Sequence, residues 1–181
     1  RGSPLGGLDM AFARAGELVA QHHVRFINGV NEDLAATAIY GSQLANTLPD
    51  PKYDGVLGMW YGKGPGVDRS GDAFRHANIA GVGRNGGVLA VAGDDPSAKS
   101  STVPSGSEFA LLDAQMPILY PSSVQEVLEY GFYGFAMSRA SGAWVSLKIV
   151  TNVADAYSTV TIRPDLRIVR DRKSTRLNSS H

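Results

Sequence analysis

The chain has 181 residues, 43% of them apolar and 19% charged, which is material for one well-packed domain and argues against wholesale disorder. Its 17 basic and 17 acidic residues cancel, so neither a nucleic acid nor a membrane surface is expected as the main partner. Cysteine is absent, which excludes disulfides, thiolate zinc and ligands for an iron–sulfur cluster within this chain, and no apolar run approaches the roughly 20 residues that span a bilayer.

The sequence opens at Arg1-Gly2-Ser3-Pro4 without a Met or a targeting segment, and is expected to be cut within a longer chain. Leu8, Phe12, Ala15 and Val19 recur as an amphipathic stripe and predict a helix. A strand should precede that helix, so the first strand is expected to be missing. Val24–Asn28 reads as a short strand. Asn31 suits an N-cap, with Glu32 and Asp33 in the first turn where the helix dipole favours anions, and predicts a helix to about Ala45. Gly55–Tyr61 reads as a strand, Asp72–Ile79 as a short helix, and the apolar run Gly87–Ala92 as a strand buried on both faces. A helix near Ser107–Ala114, a strand at Ile118–Tyr120, a helix over Val124–Arg139 and a strand over Trp144–Val150 follow. This alternation predicts an α/β fold, a mostly parallel sheet with helices on both faces. The polar end from Arg172 to His181 lacks apolar periodicity and reads either as a native disordered tail or as translated adapter sequence, which it resembles and which is the preferred reading. The domain is therefore placed at 1–170, with 171–181 as a disordered, non-native tail.

Ligands of parallel α/β sheets bind beyond the carboxyl ends of the strands. Four polar or glycine-rich segments are expected there: Ser3–Gly7, Gly29–Glu32, Gly62–Asp72 and Gly93–Ser101. Familiar motifs fail. Gly81-Val-Gly-Arg-Asn-Gly86 has the G-x-G-x-x-G spacing, but follows a helix and precedes a strand, the reverse of a dinucleotide site, and reads as a helix-ending turn. No P-loop and no nucleophile elbow is present. His22 and His23 lead into a predicted strand that would point them to opposite faces, so they make poor joint metal ligands. Asp72 and His76, one helical turn apart with Asp68 and Arg69 nearby, form either a surface ion pair or a substrate-facing cluster. Glu32 is either a dipole-compensating surface residue or a carboxylate of the cleft.

Gly2–Asp9, Asn31–Gln43, Gly58–His76 and the Gly93-Asp94-Asp95…Ser100-Ser101 segment resemble indolepyruvate ferredoxin oxidoreductase, a branch of the thiamine-diphosphate-dependent 2-oxoacid:ferredoxin oxidoreductases. The resemblance covers about residues 1–170 and is to the pyrimidine-binding domain near the enzyme's N-terminus. It implies that Glu32 is catalytic, hydrogen-bonding N1′ of the cofactor's aminopyrimidine and favouring the tautomer that deprotonates thiazolium C2. It further implies that Ser3, Pro4, Glu32 and Gly62 border the cofactor, and that Lys63, Arg69, His76, Asp94, Ser100 and Ser101 face the substrate. No metal ligand is assigned in this chain.

The resemblance also implies oxidative decarboxylation of indolepyruvate and other aryl 2-oxoacids to acyl-CoA, with ferredoxin as electron acceptor. Thiamine diphosphate would be shared with a second domain, and Mg²⁺ and iron–sulfur clusters would be held elsewhere in the enzyme. Partners would be the remaining domains or subunits, the 2-oxoacid, coenzyme A and ferredoxin, with no nucleic acid or membrane, in a cytoplasmic, oligomeric enzyme. The fragment alone should be inactive. Gly106 departs from the family, where a glutamine is expected. The alternatives are another thiamine-diphosphate-dependent decarboxylase and a noncatalytic α/β interaction module.

Overall fold

A computed structural model describes residues 3–163. The 171–181 segment and the boundary at 170 lie outside those residues. Four strands, β1 (Leu57–Lys63), β2 (Gly87–Asp94), β3 (Ile118–Leu119) and β4 (Val145–Val150), form one sheet in the order β1-β2-β4-β3. Every pairing is parallel, so each connection must cross over through helical chain. The helices are α1 (Gly6–Arg14), α2 (Gly16–Gln21), α3 (Glu32–Gln43), α4 (Gly64–Arg69), α5 (Gly71–Ala80), α6 (Glu108–Asp113), α7 (Val124–Ser141) and α8 (Thr151–Ala154). This is the α/β architecture with a parallel sheet that the sequence predicts.

Strand β2 is buried at every position because it lies inside the sheet with a layer on each face. Alternate residues go to different cores. Val88, Ala90 and Ala92 join Trp60, Val67, Phe74, Leu111 and Trp144 under α3 to α6. Leu89 and Val91 join Leu5, Val145, Leu147 and Ile149 under α7 and α8. The first core is built on aromatic contacts: Phe74 meets Trp60 edge-on at 4.9 Å and lies 6.0 Å from Trp144.

Local chemistry fixes the helix ends. Asn31 Oδ1 accepts from Leu34 N at 2.8 Å and caps α3 as expected. The Gln43 side chain, buried at the other end of α3, donates to Val56 O at 3.1 Å and ties the helix to the approach of β1. Helix α5 ends at Gly81, whose φ of 80° suits glycine, so the G-x-G-x-x-G string is a helix-ending turn. On α7, Ser138 Oγ accepts from Val88 N at 2.8 Å and donates to Ala143 O at 2.6 Å, satisfying two buried backbone groups.

Three expectations are corrected. The stripe from Leu8 to Val19 does face inward, but the helix breaks at Ala15, where Gly16 weakens helical continuity and neither α1 nor α2 buries a residue. Val24–Asn28 is not a strand: it pairs with no strand among the described residues, Val24 and Ile27 are exposed, and Phe26 stacks on Phe12 at 5.2 Å instead. Glu32 therefore follows a loop, and His22 and His23 lie at the turn that ends α2. The segment after β1 is not an open glycine-rich loop. Pro65 near the start of α4 permits a helix there, because its missing N–H falls where no intrahelical partner exists.

Candidate functional site

The sheet register brings the carboxyl ends of β1, β2 and β4 together, with Lys63 beside Gly93 and Asp94 beside Val150. Four chain segments converge on this edge. Ser3 Oγ accepts from Leu5 N at 3.2 Å, shaping a turn that lays Pro4 and Leu5 on the end of β2. A side chain at Gly93 would lie 2.8 Å from Leu5 Cγ and 3.4 Å from Pro4 Cβ.

Glu32 opens α3 and reaches the same edge. Its carbonyl accepts from Trp60 Nε1 at 3.0 Å, which fixes the backbone to the core. Its carboxylate lies against Gly66 in α4, where a Cβ would come within 2.7 Å of Glu32 Cγ, so only glycine permits this approach. Arg69 Nε stands 4.0 Å from Glu32 Oε2, and the Glu32 side chain is 37% exposed. It is thus supported on one side and accessible on the other. A pair this open and this long contributes little stability by itself.

Lys63 ends β1 and is the N-cap residue of α4. At Gly62 the space a side chain would need holds the Trp60 ring, 2.7 Å from an added Cβ. Asp94 is 1% exposed, and its Oδ2 accepts from Ser107 N at 2.8 Å and Ser107 Oγ at 3.0 Å. Oδ1 lies 3.3 Å from where a Gly64 Cβ would stand and has no hydrogen-bond partner among the described residues. Burial pushes the Asp94 carboxyl up, and the Ser107 bonds and Lys148 only partly offset it.

Ser100 and Ser101 lie on a loop wrapped around Asp95. Asp95 accepts from Lys99 N at 2.9 Å, Ser100 N at 2.5 Å and Thr151 Oγ1 at 3.1 Å. Burial acts to raise the Asp95 carboxyl, but these bonds outweigh it and hold it below the usual carboxylate range. A carboxylate lowered in the folded state stabilises the fold above its ordinary value of 3.8, and the effect is lost as pH falls through the folded value. Asp95→Asn is therefore expected to lower Tm at pH 7. The gap to the parent chain should close as pH drops below 3.8, measured by circular dichroism from pH 7 to 3. A gap that stays constant with pH would remove the charge from the account.

Asp72 and His76 are not gathered with these residues. They stand 3.6 Å apart on the outward face of α5 with both side chains strongly exposed, the surface position of the two readings. Gly106 is exposed beside Glu108.

The sequence reading missed Lys148, the one charge in the apolar strand Val145–Val150. Its side chain is 6% exposed; Nζ lies 3.5 Å from Asp94 Oδ2 and donates to Glu108 Oε1. The ammonium also stands 4.3 Å from the Tyr120 ring centroid. Burial opposes the Lys148 charge, but the hydrogen bond to Glu108 and the neighbouring charges outweigh it, and the same bond holds Glu108 low. The available signal was a lysine as the one charge in a mainly apolar strand.

No family model matches the chain. It is 34% identical over 116 residues to the indolepyruvate oxidoreductase subunit IorA of Pyrococcus horikoshii, across 64% of this chain and 18% of that protein. The Pyrococcus abyssi subunit IorA is 35% identical over 116 residues, with the same coverage of 64% and 18%. The Archaeoglobus fulgidus subunit IorA is 30% identical over 132 residues, 73% of this chain and 19% of that protein. The chain is a homologue of IorA. Its relatives are thus oxidoreductase subunits, and the chain spans less than a fifth of their length. The parallel α/β sheet agrees with the fold that the resemblance to this family implies. No helix among the described residues is long and apolar enough to cross a membrane.

Proposed function

We propose that this chain is the pyrimidine-binding segment of an oxidoreductase that oxidatively decarboxylates indolepyruvate and other aryl 2-oxoacids to acyl-CoA, passing electrons to ferredoxin. The observation that carries the reading is Glu32. In a homologue of IorA, its partly exposed carboxylate is seated on Gly66 at the carboxyl edge of a parallel sheet. That edge is where such sheets bind ligands.

The residues present fit the aminopyrimidine half of thiamine diphosphate. Glu32 offers an accessible carboxylate whose backbone is held by Trp60, and Gly66 leaves it room. Ser3 and Pro4 border the same edge. The cofactor, when bound, supplies the electron sink for decarboxylation. Glu32 would share a hydrogen bond with the ring nitrogen N1′, giving it a proton and taking that proton back, which is general acid–base work. Lys63 and Arg69 supply positive charge at the edge, the chemistry that orients a 2-oxoacid carboxylate. Ser100 and Ser101, held by the Asp95 loop, supply polar groups beside it. The diphosphate with its Mg²⁺, the iron–sulfur clusters and the coenzyme A site are assigned to other domains or subunits, in a cytoplasmic, oligomeric enzyme.

The test is indolepyruvate-dependent reduction of ferredoxin by the complete enzyme, with thiamine diphosphate present and withheld. Turnover is expected only with the cofactor present. Undiminished turnover in enzyme stripped of thiamine diphosphate, or failure to bind it in calorimetry, would overturn the reading.

A further inference from the structure

A lysine inside a buried strand calls for an explanation that stability does not supply. Desolvating an ammonium costs several kcal/mol, and apolar replacements of buried ion pairs are often neutral or stabilising. The position of Lys148 is informative. In the register Ala92 stands beside Lys148, and Asp94 is two residues further along the same face of β2. The small Ala92 leaves the lysine stem a path along the sheet to the Asp94 carboxylate, at 3.5 Å. There the ammonium meets Glu108, the first residue of α6, while Asp94 itself holds Ser107 N and Oγ just before that helix. One cation thus joins β4, the end of β2 and the start of α6. The segment between the last two is the loop 95–107, which carries Ser100 and Ser101.

We propose that Lys148 is a positioning residue: through Asp94 and Glu108 it fixes the start of α6, and with it the 95–107 loop, at the carboxyl edge of the sheet. Asp95 shapes the near end of that loop from within, by the bonds to Lys99 N and Ser100 N. Ser105 is tied back to the Asp95 backbone, its N donating to Asp95 O at 3.2 Å and its Oγ accepting from Asp95 N at 3.4 Å, and beyond it the charge cluster sets where the chain enters α6. That the loop borders a cofactor cleft rests on the function proposed above; that Lys148 holds it does not.

The test reads both. In the 181-residue chain, amide hydrogen exchange is followed by mass spectrometry for Lys148→Met and for Lys148→Met/Asp94→Asn. The double variant leaves no buried carboxylate without its cation, so it keeps the measurement open if the single variant folds poorly. Peptides over 95–107 are expected to exchange about tenfold faster or more, the scale of one lost charge-assisted hydrogen bond, with β2 and β4 unchanged. In the complete enzyme saturated with thiamine diphosphate, the same variants should raise KM for indolepyruvate about tenfold and change kcat much less, the pattern of lost uniform substrate binding by the displaced loop. Unchanged protection over 95–107, or protection lost equally across the sheet, would overturn the proposal. If the exchange changes as expected but the enzyme ignores thiamine diphosphate, the lock stands and the proposed function falls.

Discussion

Glu32→Gln in the complete enzyme is expected to cut turnover by about 10² to 10⁴, or roughly 3 to 5 kcal/mol of barrier, the usual cost of losing a positioned acid–base group. Folding should hardly change. Gln has nearly the same shape, so it still packs against Gly66, and the bond from Trp60 Nε1 goes to the backbone carbonyl, which the substitution leaves alone. The lost pairing with Arg69 spans 4.0 Å between half-exposed groups and contributes little. The charge lost at the first turn of α3 costs about 0.3–1 kcal/mol. Were Glu32 only a dipole-compensating surface residue, that stability change would be the whole effect. Indolepyruvate-dependent ferredoxin reduction at saturating thiamine diphosphate, beside thermal unfolding, separates the two. Near-normal turnover in cofactor-loaded Glu32→Gln enzyme would remove the residue from the chemistry.

The contrast between Glu32 and Lys148 shows how far a sequence can be read. Strand β2 and helix α3 were legible because their signals are local: an unbroken apolar run, and an Asn cap followed by acidic residues. The convergence of loops on one edge was legible from βα alternation alone, since parallel strands send their following segments to one side. Glu32 rested on the resemblance in Asn31–Gln43. Lys148 depends on partners in α6 and at the end of β2, brought near only by the sheet order β1-β2-β4-β3, which periodicity does not reveal.

The failures have equally local causes. Val24–Asn28 has strand-forming residues, but β propensity is expressed only against a neighbouring strand, and the aromatic pair Phe12–Phe26 takes its place. The Gly64-Pro65-Gly66 string looks like a loop by composition. It becomes the first turn of α4 because Pro suits a helix start, while Gly66 makes room for Glu32 and Gly64 for Ser105 and Asp94.

Trp60 links the core to this edge, and its removal should be the most damaging change to the fold. The indole is 2% exposed, meets Phe74 at 4.9 Å, fills the space over Gly62, and donates to Glu32 O at 3.0 Å. Trp60→Ala is expected to cost about 3–5 kcal/mol through lost burial and the cavity left behind. In a chain of this size that lowers Tm by roughly 6–20 °C, read by circular dichroism. Trp60→Phe separates packing from the polar bond. It keeps much of the aromatic contact with Phe74 but has no N–H for the Glu32 carbonyl, so about 1–3 kcal/mol should be lost. In the complete enzyme that milder variant should also weaken thiamine diphosphate binding, since the backbone that aims Glu32 is freed while Glu32 itself remains. Unchanged cofactor affinity in a destabilised Trp60→Phe enzyme would mean that Asn31 and Gly66 alone hold the carboxylate in place.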